Sequence, residues 1–177
     1  MPETGGITEQ PDGFTMQAGE PMTGMVFQDW VRAGLPLMNY RLKYEAMRVN
    51  GSDFFGTVTF PVGTVDQCVS FILGGWGGSQ VGISSVDGHD AANNETGSSQ
   101  TFKNGEWYRI RVEVRQGLIQ VWMNDAPLVH LLTKNRILGL RAGDIEACVP
   151  FGFASYGSEG RIRNCVVHEL PPEISGW

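Results

Sequence analysis

Three groups of side chains in this sequence have the types and spacing that chemistry needs. The first lies in WYRIRVEVRQGLIQVWMN, residues 107–124. With Gln116-Gly117 as a two-residue turn, Val114 faces Ile119, Val112 faces Val121 and Ile110 faces Met123, all of them apolar. The interleaved positions set Glu113 against Gln120, Arg111 against Trp122 and Arg109 against Asn124. A slip of one residue would put Arg111 and Glu113 opposite apolar side chains, so the two patterns agree on a single register. The polar face is then either solvated sheet surface or a ligand-binding floor. Arg109, Arg111, Glu113 and Gln120 around the indole of Trp122 would offer a sugar directional hydrogen bonds and a flat apolar surface.

The second group is GGWGG at 74–78, a hairpin tip that carries Trp76. The indole is either a cap over the core or a platform for a ligand ring, and the glycines supply the tight backbone that either role requires. The third is the polar loop VDGHDAANNETGSSQT, 86–101. Its Asp87, Asp90, Asn93 and Glu95 have the oxygens that calcium prefers, although their spacing is not that of an EF-hand and Asx-turn chemistry explains the same residues without a metal. Asn94-Glu95-Thr96 is also a glycosylation sequon. Glu113, Asp53, Glu45 and Glu95 are the candidates for acid/base work on a glycoside, but the sequence sets no two of them at a defined separation.

Other chemistries find no footing. There is no phosphate loop, dinucleotide fingerprint or convincing Ser/His/Asp arrangement, and His89, His130 and His168 lie far apart. Cys68, Cys148 and Cys165 lack metal-ligand spacing; Cys68 and Cys165 sit in strand-like runs and read as buried thiols, with a single disulfide as the alternative. A net charge of −6 argues against a nucleic-acid partner. No apolar run approaches the roughly 20 residues of a membrane span, and MPETGGITEQ has neither the basic region nor the apolar core of a signal peptide.

The elements that must position these groups are strands. In 177 residues there are 24 Gly and 9 Pro, and apolar residues recur mostly at every second position. Residues 38–49 and 53–62 are expected to pair as a hairpin around Asn50-Gly51, and 67–73 with 80–86 around the Trp76 tip. Further strands are expected at 128–132, 137–141, 151–156 and 161–170, the last ended by Pro171-Pro172. Residues 1–22 read as a flexible or irregular lead, 23–170 as one domain and 171–177 as a tail. A dozen short strands without an amphipathic helix imply an all-β sandwich of two antiparallel sheets.

The segments GSDFFGTVTFPV, NGEWYRIRVEVRQGLIQVWMND and PFGFASYGSEGRIRNCVVHEL, in this order, resemble the 3-keto-disaccharide hydrolase family, a branch of the concanavalin A-like jelly-roll superfamily. The most specific elements are Gly105-Glu106-Trp107-Tyr108, Asn124-Asp125 and Arg163-Asn164. The resemblance implies a concanavalin A-like jelly-roll β-sandwich from about residue 23 to 170, a periplasmic or extracellular setting, and a concave face that meets carbohydrate. That face would include Arg109, Arg111, Glu113, Gln120 and Trp122, with Trp76 and the acidic loop at its rim. Many family members carry a Leu-Gln-x-His run before the last strand and a Gln-Ile-Leu-Asp type segment after the early hairpin. This chain reads Phe153-Ala154-Ser155-Tyr156 and CVSFILGGWGG there. Carbohydrate binding is therefore the leading expectation, glycoside or 3-keto-glycoside hydrolysis or elimination the second, and a protein-interaction module the third.

Overall fold

The computed structural model describes residues 6–19, 22–141 and 143–171. Residues 1–5, 20 and 21 of the expected lead and all but Pro171 of the expected tail lie outside them. The strands are β1 Ile7–Gln10, β2 Gly13–Met16, β3 Met22–Val26, β4 Tyr40–Gly51, β5 Thr57–Val62, β6 Thr64–Gly75 and β7 Gln80–Ser84. They continue with β8 Ser98–Ser99, β9 Trp107–Arg115, β10 Leu118–Met123, β11 Ala126–Leu132, β12 Gly152–Tyr156 and β13 Ser158–Glu169. A short 3-10 helix, Asp144–Cys148, precedes β12. Two antiparallel sheets result, a seven-stranded one in the order β1-β2-β13-β4-β9-β10-β11 and a six-stranded one in the order β3-β12-β5-β6-β7-β8. Among the described residues no helix is long and apolar enough to cross a membrane.

Alternation builds the core. Tyr40, Leu42, Tyr44 and Ala46 of β4 and Ile110, Val112 and Val114 of β9 point inward from the larger sheet, against Val58, Phe60, Phe71, Leu73, Val81 and Ile83 of the smaller. Two buried tyrosines tie the layers together: Tyr40 Oη donates to the Pro61 carbonyl and Tyr44 Oη to that of Gly56, each at 2.6 Å. Trp30 closes one end, fully buried, with its indole N–H donating to the Pro36 carbonyl at 3.0 Å and its ring 5.0 Å from Phe151. Truncating a core side chain such as Phe60 to Ala would cost roughly 3–5 kcal/mol.

The β9–β10 register is the one expected from sequence: Val114 pairs with Ile119, Glu113 with Gln120 and Arg111 with Trp122. The β6–β7 hairpin also forms. Elsewhere the structure corrects the expectation. β4 and β5 do not pair but lie in different sheets, because Gly51 continues β4 along β13 opposite Ser158 and residues 52–56 then cross to the other layer. Gly56 makes that crossing possible, since a Cβ there would lie 2.5 Å from that of Ala46. β13 lies inside the larger sheet, between β2 and β4. Residues 7–16, expected within an irregular lead, form β1 and β2, and β2 is held by pairing with β13. The strand expected over 137–141 reduces to a single bridge, Val86 with Leu138. None of the cysteines is in a disulfide, and Cys165, expected to be buried, is exposed. Burial pushes the Cys68 thiol up to about 11 and that of Cys148 to about 12, so neither is a ready nucleophile.

Candidate functional site

The sequence-derived floor is real as a surface, and its groups answer to one another. On the outer side of β9 and β10, Glu113 is only 7% exposed and gathers three guanidinium groups. Arg41 Nε lies at 3.0 Å, Arg115 at 3.4 Å and Arg111 Nε at 3.8 Å. Arg111 also lies over the Trp122 ring, 4.3 Å from its centroid, so the indole's partner is already a side chain of this protein. Gln120 meets His130 at 3.3 Å, and Arg109 pairs with Asp125 at 3.2 Å in the open. The same face extends over β4 and β13. There Arg163 binds Glu45 at 3.1 Å and sits 3.7 Å from the centroid of Trp107.

The outer side of the six-stranded sheet is built differently. A cavity of about 480 Å³ opens there, with Ser70 of β6 and Ser84 of β7 in its lining and walls from Phe54, Trp76, Tyr156, Ile145 and Arg141. This lies within the usual range for small-ligand sites, about 300–1,000 Å³. Trp76 is 41% exposed and has φ 48, a left-handed backbone that a bulky residue adopts only at a cost of roughly 1–2 kcal/mol. Its neighbours Gly74, Gly77 and Gly78 take φ 81, 89 and 114. Gly78 must be glycine on contact grounds too, because a Cβ would stand 2.7 Å from the Ser52 carbonyl oxygen. Asp53 fixes the loop: Oδ1 accepts the Phe54 N–H at 2.8 Å and Oδ2 the Gly77 N–H at 3.1 Å. Tyr156, 42% exposed, lies 5.5 Å from the ring of Phe54 and adds a second aromatic surface.

The cavity also contains a polar atom without a partner. Thr59, Ser70 and Ser84 stand in register across β5, β6 and β7, and the first two hydroxyls bond each other at 2.6 Å. Ser84 Oγ, on a side chain 1% exposed, has no hydrogen-bond partner. A buried hydroxyl in that condition is costly, on the order of 1–3 kcal/mol, and a ligand hydroxyl at this position would relieve it.

The acidic loop does a structural task beside this cavity. Arg136 donates from Nε to Asp87 at 2.7 Å and pairs with Glu95 at 2.5 Å, so a guanidinium stands where the sequence suggested a metal. Asp90 is taken up by the Ala92 N–H and the Asn93 amide, and the Asn94 amide donates to three backbone carbonyls, of Ile83, His89 and Asp90. Among the described residues no group of three or more His, Cys, Asp or Glu side chains is placed to hold a metal ion. The carboxyl of Asp87 is held below its ordinary value by the Ile137 N–H and then Arg136, and that of Glu95 by Arg136. The clamp anchors residues 137–140, whose backbone bonds Ser85 and Asp87, and this segment delivers Arg141 to the cavity.

The four catalytic candidates are not brought together: Glu95 is held by Arg136 in the polar loop, and the other three stand apart. Glu113 and Glu45 share the outer face of the larger sheet, but Glu113 pairs with Arg41, four residues from Glu45 along β4, which is roughly 13 Å of strand. Acid/base pairs in glycosidases stand about 5–9.5 Å apart. Glu45 accepts hydrogen bonds from Asn164 and Arg163, which hold its carboxyl below the ordinary range. Asp53 lies on the other side of the sandwich, committed to the Trp76 loop. Of the residues singled out from sequence, the cavity unites Trp76 and Asp53. Arg141, Tyr156 and Ser84 carry no local signal, since long-range packing alone places them there.

No family model matches the chain, and no curated protein matches it in sequence. Solved structures do match. Carbohydrate binding module CBM66 from Bacillus subtilis superimposes with a TM-score of 0.57 at 8% identity, covering 93% of this chain and 92% of that one. Domain 4 of AbnA, a GH43 extracellular arabinanase from Geobacillus stearothermophilus in complex with arabinotriose, gives 0.53 at 11% identity over 96% and 77%. Galectin LEC-6 of Caenorhabditis elegans gives 0.50 at 12% identity over 94% and 96%. Likeness at such identities shows the fold: a jelly-roll β-sandwich of two antiparallel sheets.

Proposed function

We propose that this domain binds a carbohydrate in the cavity beside Trp76 and does not turn it over. The observation that carries the reading is the indole itself. It is exposed, held in a left-handed backbone by three glycines and Asp53, at the mouth of a cavity whose floor presents an unpartnered hydroxyl. A sugar offers a C–H face for the part of the indole that Arg141 leaves exposed, and hydroxyls for Ser84. The neighbours lend support, since one is a carbohydrate-binding module and another is described with arabinotriose bound. A periplasmic or extracellular setting accords with this role. The segment likeness to 3-keto-disaccharide hydrolases would add turnover, but the two-carboxylate form of that chemistry has no pair to use, since Glu45, Asp53 and Glu113 stand apart.

Glycan-array screening followed by calorimetry tests the reading. The wild-type domain should bind at least one oligosaccharide, and Trp76→Ala should weaken that binding by about tenfold or more with the fold intact. A screen without any binder, or a Trp76→Ala variant of undiminished affinity, contradicts the proposal.

A further inference from the structure

The cavity contains a cation that a neutral sugar does not require. We infer that its ligand is an acidic sugar, a uronate or similarly carboxylated residue, whose carboxylate pairs with Arg141 while its ring lies against Trp76. This rests on the carbohydrate reading and specifies the ligand class.

Arg141 is set apart by its lack of partners. Arg41, Arg111 and Arg115 share Glu113, Arg163 holds Glu45, Arg136 holds Asp87 and Glu95, Arg109 pairs with Asp125 and Arg32 with Asp29. Arg48 donates to Asn104 and to the Phe102 carbonyl. Among the described residues only Arg141 and Arg161 have neither a carboxylate nor a hydrogen-bond acceptor. Arg161 packs over Trp107 on the sheet face, whereas Arg141 lines the cavity, 5.1 Å from the centroid of Trp76.

That stacking uses the face of the guanidinium and leaves its edge. The N–H donors lie in the plane of the group, so a guanidinium resting on an indole still presents a fork suited to two carboxylate oxygens. Among the described lining residues the one acid is Asp53, and both its oxygens are engaged by the backbone N–H groups of Phe54 and Gly77. The Arg136 clamp on Asp87 and Glu95 fixes the segment leading to Arg141, so less freedom is lost when a carboxylate binds. The chain as a whole, at net charge −6, repels anions, so a preference for acidic sugars must come from a local site.

The experiment is a calorimetric comparison at fixed ionic strength of tetra- to hexasaccharides of galacturonate, glucuronate and mannuronate. Each is measured beside its carboxyl-reduced, neutral counterpart. At least one uronate should bind about tenfold more tightly than its reduced form. Arg141→Gln should bring the acid and reduced forms to equal affinity, and Arg141→Lys should restore part of the preference. Lys43→Gln, an exposed cation on the opposite sheet face, should change nothing. Equal binding of acid and reduced forms by the wild type overturns the inference, as does a preference that survives Arg141→Gln or one that Lys43→Gln removes. If neutral forms bind through Trp76 without an acid preference, the carbohydrate reading stands and the acidic ligand falls. If no form binds, both fall.

Discussion

The two outer faces of this sandwich use the same vocabulary, indoles and guanidinium groups, with opposite results. On the outer face of the seven-stranded sheet lie seven of the thirteen Lys and Arg residues, Arg41, Lys43, Arg109, Arg111, Arg115, Arg161 and Arg163, together with Trp107 and Trp122. Most of these cations are answered from within the protein, by Glu113, Glu45 and Asp125, and the indoles lie against guanidinium groups. On the six-stranded sheet a single indole and a single guanidinium meet each other beside open volume, with a hydroxyl left unpaired. The presence of suitable residue types is thus a poor guide to a binding site. What marks one is unpaired capacity beside an open cavity, since Arg111 Nε and Arg161 Nε also lack hydrogen-bond partners on the seven-stranded face.

The contrast predicts that damage to the first face appears in stability and damage to the second in binding. The largest effect should come from Glu113→Gln, which leaves three arginines around a neutral group. A loss of about 2–3 kcal/mol in urea unfolding is expected, between the small value of an exposed pair and that of a fully buried one, with glycan affinity unchanged. Trp76→Ala should do the reverse, with affinity falling about tenfold, or about 1.4 kcal/mol, at an unaltered unfolding midpoint. Trp122→Ala should cost about 1 kcal/mol of stability through the lost Arg111 stacking and leave binding untouched. Weakened binding in that variant would transfer the site to the other face.

The smallest effect concerns acid. Glu45, Asp87 and Glu95 all have folded-state values below the ordinary carboxylate values of 4.5, 3.8 and 4.5. Their contribution to stability is therefore complete above those ordinary values and is lost as pH falls through the lowered ones. Arg136→Gln should flatten the decline of Tm between about pH 5 and pH 3, because Asp87 and Glu95 lose a charged partner. An unchanged acid limb would show that the clamp is energetically idle.

How much of this was legible in the sequence depends on the range of the forces involved. The β9–β10 register was readable because two complementary period-two patterns flank one turn. Asn50-Gly51 misled, since a strong local turn signal lost to the pairing of β4 with β13 across more than a hundred residues. ITEQ and GFTM have little strand signal of their own, and β2 becomes a strand because β13 offers it an edge; Gly13 is needed there, for a Cβ would fall 1.8 Å from the Ile162 carbonyl oxygen. In the site, the GGWGG tip announced Trp76. The partnership of Asp87 and Glu95 with Arg136, far along the chain, and the arrival of Arg141 behind it are properties of the folded chain alone.

The central claim is that the ligand occupies the Trp76 side of the sandwich, and the indole N–H resonances report on it directly. In a titration of ¹⁵N-labelled protein with the tightest-binding oligosaccharide from the array, the Trp76 indole signal should shift progressively while those of Trp107 and Trp122 stay in place. Shifts at Trp122 and Trp107 with Trp76 unmoved would contradict the account and put the ligand on the seven-stranded sheet.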